Sequence, residues 1–139
     1  MIEQTTFGTQ FLERLDPVFP GGLAYVQDVV KTQMTAYCRA YRDEIGPVWA
    51  WGVVPMWKGV GSVWMIFDRR APKHAFRIVR EARIYLEELD TTFKRLQGEI
   101  HEDAPTFRLA SLFRFEQEGV LRNYGMDGVG DYVMTARIN

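Results

Sequence analysis

Arg69, Arg70, Lys73, Arg77, Arg80 and Arg83 are six of the chain's seventeen Lys and Arg residues, gathered into one short stretch. Cations at that density suit phosphate groups, whether of a small ligand or of nucleic acid. The competing reading is a solvated helix face laced by i,i+4 pairs such as Arg77–Glu81 and Arg83–Glu87. The two readings separate at the start of the helix. Positive side chains there oppose the helix dipole, so a bound anion would account for Arg69, Arg70 and Lys73. Other chemistry-bearing residues are scarce. His101, near a predicted strand end, is a base if it faces a cleft and a polar strand-end residue otherwise. Cys38 reads as a small buried residue on a strand. Trp49, Trp51 and Trp64 read as core or sheet-face residues, whereas Trp57 falls in a predicted turn beside Met56 and Lys58 and is an interface candidate.

Composition narrows the classes. The 139 residues are one domain's worth, 47% hydrophobic and 25% charged, an ordinary globular balance. One cysteine excludes an internal disulfide, and two histidines with one cysteine exclude the usual structural zinc sites. A net charge of −1 supplies no global basic field, so nucleic acid ranks last among partners. The apolar runs are too short for a bilayer span, and the first residues lack a signal-peptide layout, so no membrane partner is expected.

Periodicity then sets the elements that must position the basic stretch. Phe7, Phe11, Leu12 and Leu15 predict a helix over 5–15, ended by Pro17 and Pro20-Gly21-Gly22. A second short helix is expected over 23–33. Strands are expected over 34–41, 48–54 and 62–67, joined by the turn chemistry of Asp43-Glu44-Ile45-Gly46-Pro47 and by Pro55 and Gly59. A long helix follows over 72–93, with Pro72 in its first turn and Ala75, Val79, Ala82, Leu86, Leu89 and Phe93 on one face. A strand over 94–101, a loop and cap over 102–106, a short helix over 107–114 and a hairpin of 115–124 with 131–138 complete the order. In the last arm Tyr132, Met134, Ala136 and Ile138 share a face. The strand–helix–strand over 62–101 is a βαβ crossover, which joins parallel strands, so the class is α/β with a mixed sheet.

This order, with Phe115-Glu116-Gln117-Glu118-Gly119-Val120-Leu121-Arg122 and Tyr132-Val133-Met134, resembles the GNAT superfamily of N-acetyltransferases. Arg114 stands where that family usually has a glycine, and Asp103 where it has an Asn at the end of its fifth strand. The Trp-rich meander and the short front, residues 1–33, are similar to small GNAT-like proteins of bacteriophages, some of them internal virion proteins. The resemblance implies a single GNAT-like domain over 1–139 with a reduced front, a central mixed sheet, a long helix after the fourth strand and a C-terminal hairpin. It implies acetyl-CoA as cofactor, with its pyrophosphate at a helix N-terminus, where unpaired N–H groups and the dipole attract phosphate.

The family's phosphate motif falls on Arg70-Ala71-Pro72-Lys73-His74-Ala75. Its arginine and final alanine match. Lys73 replaces the central glycine, and Pro72 removes an N–H donor. The cofactor-binding residues implied are therefore Arg70, Lys73, His74 and Ala75, with the backbone of Met65, Ile66 and Phe67 along the pantetheine arm. No catalytic residue is assigned. Residues 62–67 carry no acid to serve as base, Asp68 being the nearest, and the family's tyrosine position falls on Ala110. Two functions are expected from these degraded motifs. One is an acyl-CoA-dependent N-acetyltransferase that works by positioning, in the host-cell cytoplasm. The alternative is a catalytically silent GNAT-fold virion or assembly component acting through protein contacts near Trp57.

Overall fold

The computed structural model describes residues 1–18, 22–101, 103–104 and 107–139, with Met126 described by its backbone alone. The expectations placed on Pro20, Gly21, Glu102, Pro105 and Thr106 lie outside the described residues. The elements are β1 (Glu3–Thr5), α1 (Thr9–Arg14), α2 (Leu23–Lys31), β2 (Arg39–Arg42), β3 (Pro47–Trp57), β4 (Val60–Phe67), a 3-10 turn (Ala71–His74), α3 (Ala75–Leu89), β5 (Arg95–His101), α4 (Phe107–Leu112), β6 (Glu116–Leu121), a 3-10 turn (Met126–Gly128) and β7 (Tyr132–Ile138). Among the described residues the strands form a seven-stranded mixed sheet in the order β1-β2-β3-β4-β5-β7-β6. No helix among them is long and apolar enough to cross a membrane. By contacts the chain divides into two compact units, Met1–Val54 with Val63–Glu81 and Pro55–Ser62 with Ala82–Asn139.

In the first unit β1 pairs antiparallel with β2, and β2 with β3, setting Ala40 opposite Ala50 and Tyr41 opposite Trp49. Strand alternation sends these pairs to opposite faces. Ala40 and Ala50 join Trp64, Ile66, Phe11, Leu12, Leu15, Val26 and Val29 in one core cluster. On the other face Tyr41 stacks on Trp49 at 4.1 Å, and Trp51 meets both edge-on. Gly52 allows the closest packing: a Cβ there would lie 2.6 Å from Cys38 Sγ and 2.8 Å from Trp64 Cζ2.

Several boundaries differ from expectation for local reasons. Residues 3–5 are drawn into pairing with β2, so the first helix begins at Thr9 rather than at residue 5. The expected strand over 34–41 begins only at Arg39, because a Schellman closure follows α2. Gln33 takes φ +58°, its N–H donates to Val30 O at 3.1 Å, and the Met34 N–H donates to Val29 O at 3.1 Å. Cys38 therefore precedes the strand instead of lying on it. Pro55 does not end β3, which runs on to Trp57 and turns through Lys58 and Gly59, the glycine at φ +80°.

The long helix opens with a 3-10 turn, and that shifts its phase, since three residues rather than 3.6 complete each turn. Ile78, Ala82, Tyr85, Leu86 and Leu89 are buried along α3, with Phe93 just past its end. Val79 is half-buried, and Ala75, expected on the apolar face, is exposed.

In the second unit β4 pairs parallel with β5 through Val60–Arg95, Gly61–Leu96 and Ser62–Gln97, as the crossover requires. β5 pairs with β7 over seven positions, and β7 with β6 across a bulge near Gly119. In the last strand Tyr132, Met134, Ala136 and Ile138 share a face as expected, and burial extends to the opposite face as well. Val133, Thr135 and Arg137 are buried along with Ala136, while Ile138 is exposed. The polar members are satisfied: Thr135 Oγ1 donates to Gly98 O at 3.0 Å, and the Arg137 guanidinium reaches Asp90 and the Phe113 carbonyl.

Candidate functional site at the turn between β4 and α3

All seven residues implied as cofactor-binding lie in the first unit, on β4, in the turn after it and at the start of α3. The Asp68 N–H donates to Val48 O on β3 at 2.8 Å. Backbone polar groups alternate between the two edges of a strand, so Met65 and Phe67 present theirs to the opposite edge. A short piece of the chain's own front lies along that edge. The Val18 N–H donates to Phe67 O at 2.9 Å, the Arg69 N–H donates to Asp16 O at 2.9 Å, and Pro17 bridges Asp68. The edge expected to receive pantetheine is thus held at Phe67 by residues 16–18, with the Met65 backbone next along it. The side chain of Ile66 is committed to the core cluster beside Trp64.

The turn is held by an ionic cluster. Asp43, at the β2–β3 turn, is 7% exposed and accepts from the N–H groups of Ile45 and Gly46 at 2.9 and 3.1 Å. Its other oxygen accepts a short hydrogen bond from Arg70 Nη1 and lies 3.1 Å from His74 Nε2. Arg70 Nη2 donates to Pro47 O at 2.5 Å, and Arg70 Nε stands 3.3 Å from Asp68 Oδ2. Burial alone would push the Asp43 carboxyl up. The hydrogen bonds from Arg70, Gly46, Ile45 and His74 overcome it and hold the group well below the usual carboxylate range.

Asp68, the acid nearest the end of β4, is equally engaged. Its oxygens accept from the N–H of Asp16 at 2.7 Å and the N–H of Arg70 at 3.0 Å, and its side chain is buried. It serves as a brace of the turn and not as an exposed base. The N–H groups of Ala71 and Lys73 bond within the turn, to Asp68 O and Arg70 O. What faces solvent is charge: the Lys73 side chain, with Arg80 and the strongly exposed Phe76 beyond it. Arg69 is paired with Asp16 at 3.2 Å and Arg77 with Glu81 at 2.8 Å, the latter being the i,i+4 contact expected from spacing.

The structure therefore brings Arg70 and His74 together on one carboxylate and leaves Lys73 and Ala75 outside that cluster. Asp43 was legible only as a turn residue, because its partners stand far along the chain. Elsewhere, in the second unit, His101 accepts the Asp103 N–H on Nδ1 at 3.1 Å and packs edge-on against Tyr132. A Cβ on Gly130 would lie 3.0 Å from its Nε2. This is the polar strand-end arrangement, fixing the loop before β7. In the first unit, burial pushes the Cys38 thiol up to about 12, which removes it as a nucleophile at neutral pH.

No protein-family model matches the sequence, and no curated protein matches it. Solved structures do match the fold. A GNAT-family acetyltransferase from Bacillus anthracis superimposes with a TM-score of 0.71 at 13% identity, covering 99% of this chain and 94% of that one. The ribosomal-protein-S18-alanine N-acetyltransferase from Escherichia coli gives 0.68 at 16% identity, over 99% and 94%. An acetyltransferase from Bacillus subtilis, solved in complex with CoA, gives 0.69 at 9% identity, over 99% and 97%. The fold is that of the GNAT acetyltransferases.

Proposed function

We propose that the protein is an acyl-CoA-binding GNAT-fold N-acetyltransferase whose cofactor site is the C-terminal end of β4 with the turn that opens α3. The observation that carries this reading is the continuous strand–turn–helix of residues 60–89, its strand entering parallel pairing with β5, in a fold shared with an acetyltransferase solved with CoA. The residues present suit such a ligand in part. The Met65 backbone comes next along the strand edge from Phe67, and the exposed Lys73 carries positive charge in the turn just before a fifteen-residue helix. At Phe67 the same edge is already taken in part, its carbonyl accepting the Val18 N–H. Acetyl-CoA, when bound, supplies the activated acyl thioester. The chain's own part is to bind and orient, because residues 62–67 hold no acid and Asp68 is consumed by the turn. Calorimetry with acetyl-CoA tests the reading. Saturable binding that weakens in Lys73→Ala supports it, and no heat with no thermal shift at millimolar ligand refutes it.

A second reading is favoured by a separate observation. Trp57 is 65% exposed and Met56 is 42% exposed at the end of the β3–β4 hairpin, a pairing typical of contact surfaces. In this reading the protein is a catalytically silent, phage-type virion component that binds other virion proteins there. Recovery with purified phage particles, lost in Trp57→Ser, supports it; a protein found only free in host cytosol counts against it.

A further inference from the structure

We infer that Asp43 is the positioning residue of the cofactor turn, acting through Arg70 and His74, and that it leaves Lys73 as the turn's phosphate-facing cation. The inference rests on the acyl-CoA reading for its functional half and on geometry alone for its structural half.

The geometry is specific. Asp43 stands at a turn between two strands, twenty-seven positions before Arg70 and thirty-one before His74. Its first oxygen is fixed by two backbone N–H groups of its own turn, so the carboxylate cannot rotate to follow its partners. The second oxygen meets two side chains from opposite ends of the 3-10 turn, Arg70 before it and His74 at its end. Arg70 is fixed further by Pro47 O and by Asp68. A largely covered guanidinium, 20% exposed, that meets two carboxylates and a carbonyl has its charge balanced and one contact on each of its three nitrogens. It therefore clamps the turn instead of reaching for a phosphate. Lys73 lies between the two clamped residues and is exposed. Holding residues 70 and 74 sets the direction in which residue 73 projects. The clamp thus converts an arginine that looks like a ligand into a support, and hands the ligand's charge to the next cation along.

Three variants separate the roles, measured by acetyl-CoA calorimetry well below each variant's melting temperature and by amide hydrogen exchange of residues 69–75. Asp43→Asn is expected to speed exchange across the turn and to weaken acetyl-CoA about tenfold, an amount equivalent to about 1.4 kcal/mol. Arg70→Ala is expected to do the same, and the Asp43→Asn/Arg70→Ala pair to do little more than either alone. Lys73→Ala is expected to weaken binding by a similar factor while leaving exchange unchanged. Wild-type-like exchange in Asp43→Asn overturns the clamp, whatever the ligand result. Normal acetyl-CoA affinity in a variant whose turn exchanges fast overturns its functional half. If the wild type itself binds no acetyl-CoA, the acyl-CoA reading and the Lys73 assignment fall together, while the exchange data still decide the clamp.

Discussion

Arg137 holds Asp90 in a two-pronged pair, Nε to Oδ1 at 3.0 Å and Nη2 to Oδ2 at 2.7 Å, with Nη1 donating to Phe113 O at 2.7 Å. This joins the end of the last strand to the residue after α3 and to the residue after α4, all within the second unit. The Arg137 side chain is 6% exposed and Asp90 15%. Removing one partner of such a pair strands the other in a poorly hydrated place. Arg137→Met is expected to cost about 3–5 kcal/mol of unfolding free energy. The companion Asp90→Asn, added to it, is expected to cost far less than it does alone, because the partners are coupled. Urea unfolding of the four proteins measures this, and a loss below about 1 kcal/mol for Arg137→Met would refute the role.

The position where the resembled family carries glycine has a physical explanation here. Arg114 takes φ +60° just after α4. Its N–H donates to Ser111 O at 3.1 Å, and the Phe115 N–H donates to Ala110 O at 2.9 Å, a Schellman closure. A left-handed residue other than glycine costs about 1–2 kcal/mol. The compensating contact from Arg114 Nη2 to Asp90 is long, 3.4 Å, and its side chain is 65% exposed, so it returns about 0–1 kcal/mol. Arg114→Gly should therefore stabilise the protein by about 0.5–1 kcal/mol, while Arg114→Ala, which keeps the strain and loses the contact, should destabilise it. Thermal unfolding of both variants gives the two signs, and a less stable Arg114→Gly would count against the argument.

Asp43 makes stability pH-dependent in a definite direction. Its carboxyl is held below its ordinary value in the folded protein, so the folded state favours the charged form. That contribution is complete above the unfolded value of about 3.9 and is lost as pH falls through the folded value. Unfolding free energy should drop steeply below about pH 4 in the wild type. Asp43→Asn should start lower at neutral pH and fall less steeply. Parallel curves for the two proteins between neutral and strongly acid pH would show that Asp43 carries no such linkage.

Much of this architecture can be read along the chain, and the failures have particular causes. The crossover and the closing hairpin are legible because α3 is strongly amphipathic and the flanking apolar runs are bounded by turn residues. β1 is not, since three residues at a sheet edge, Glu3, Gln4 and Thr5, carry no period. The late start of β2 escapes notice because Gln33, not glycine, takes the left-handed position that closes α2. Arg137 and Thr135 look like outward residues of an alternating strand until their partners are known. At the candidate site the turn, Lys73 and the basic character are legible. The fate of Arg70 is not, because tertiary pairing with Asp43 decides whether an arginine supports or binds.

Residues 16–18 are the last device that spacing does not announce, and they lie beside the proposed cofactor edge. Two kinds of bond hold them. The backbone bonds are Val18 N–H to Phe67 O and Arg69 N–H to Asp16 O, both at 2.9 Å. The side-chain bonds are the Asp16 N–H to Asp68 Oδ1 at 2.7 Å, which needs only the Asp16 backbone, and the Arg69–Asp16 pair, whose partners are 64% and 69% exposed. Exposed pairs contribute about 0–1 kcal/mol, so Asp16→Ala should leave stability nearly unchanged and leave the backbone bonds in place. Val18→Pro deletes the N–H that Phe67 O accepts and should cost about 1 kcal/mol, the ordinary net value of a hydrogen bond. It should also speed amide exchange at Arg69, whose own bond to Asp16 O depends on the same strand-like alignment. Thermal unfolding and native-state exchange on the two variants separate the cases. A larger effect from Asp16→Ala than from Val18→Pro would mean that charge, not backbone pairing, keeps this segment on β4.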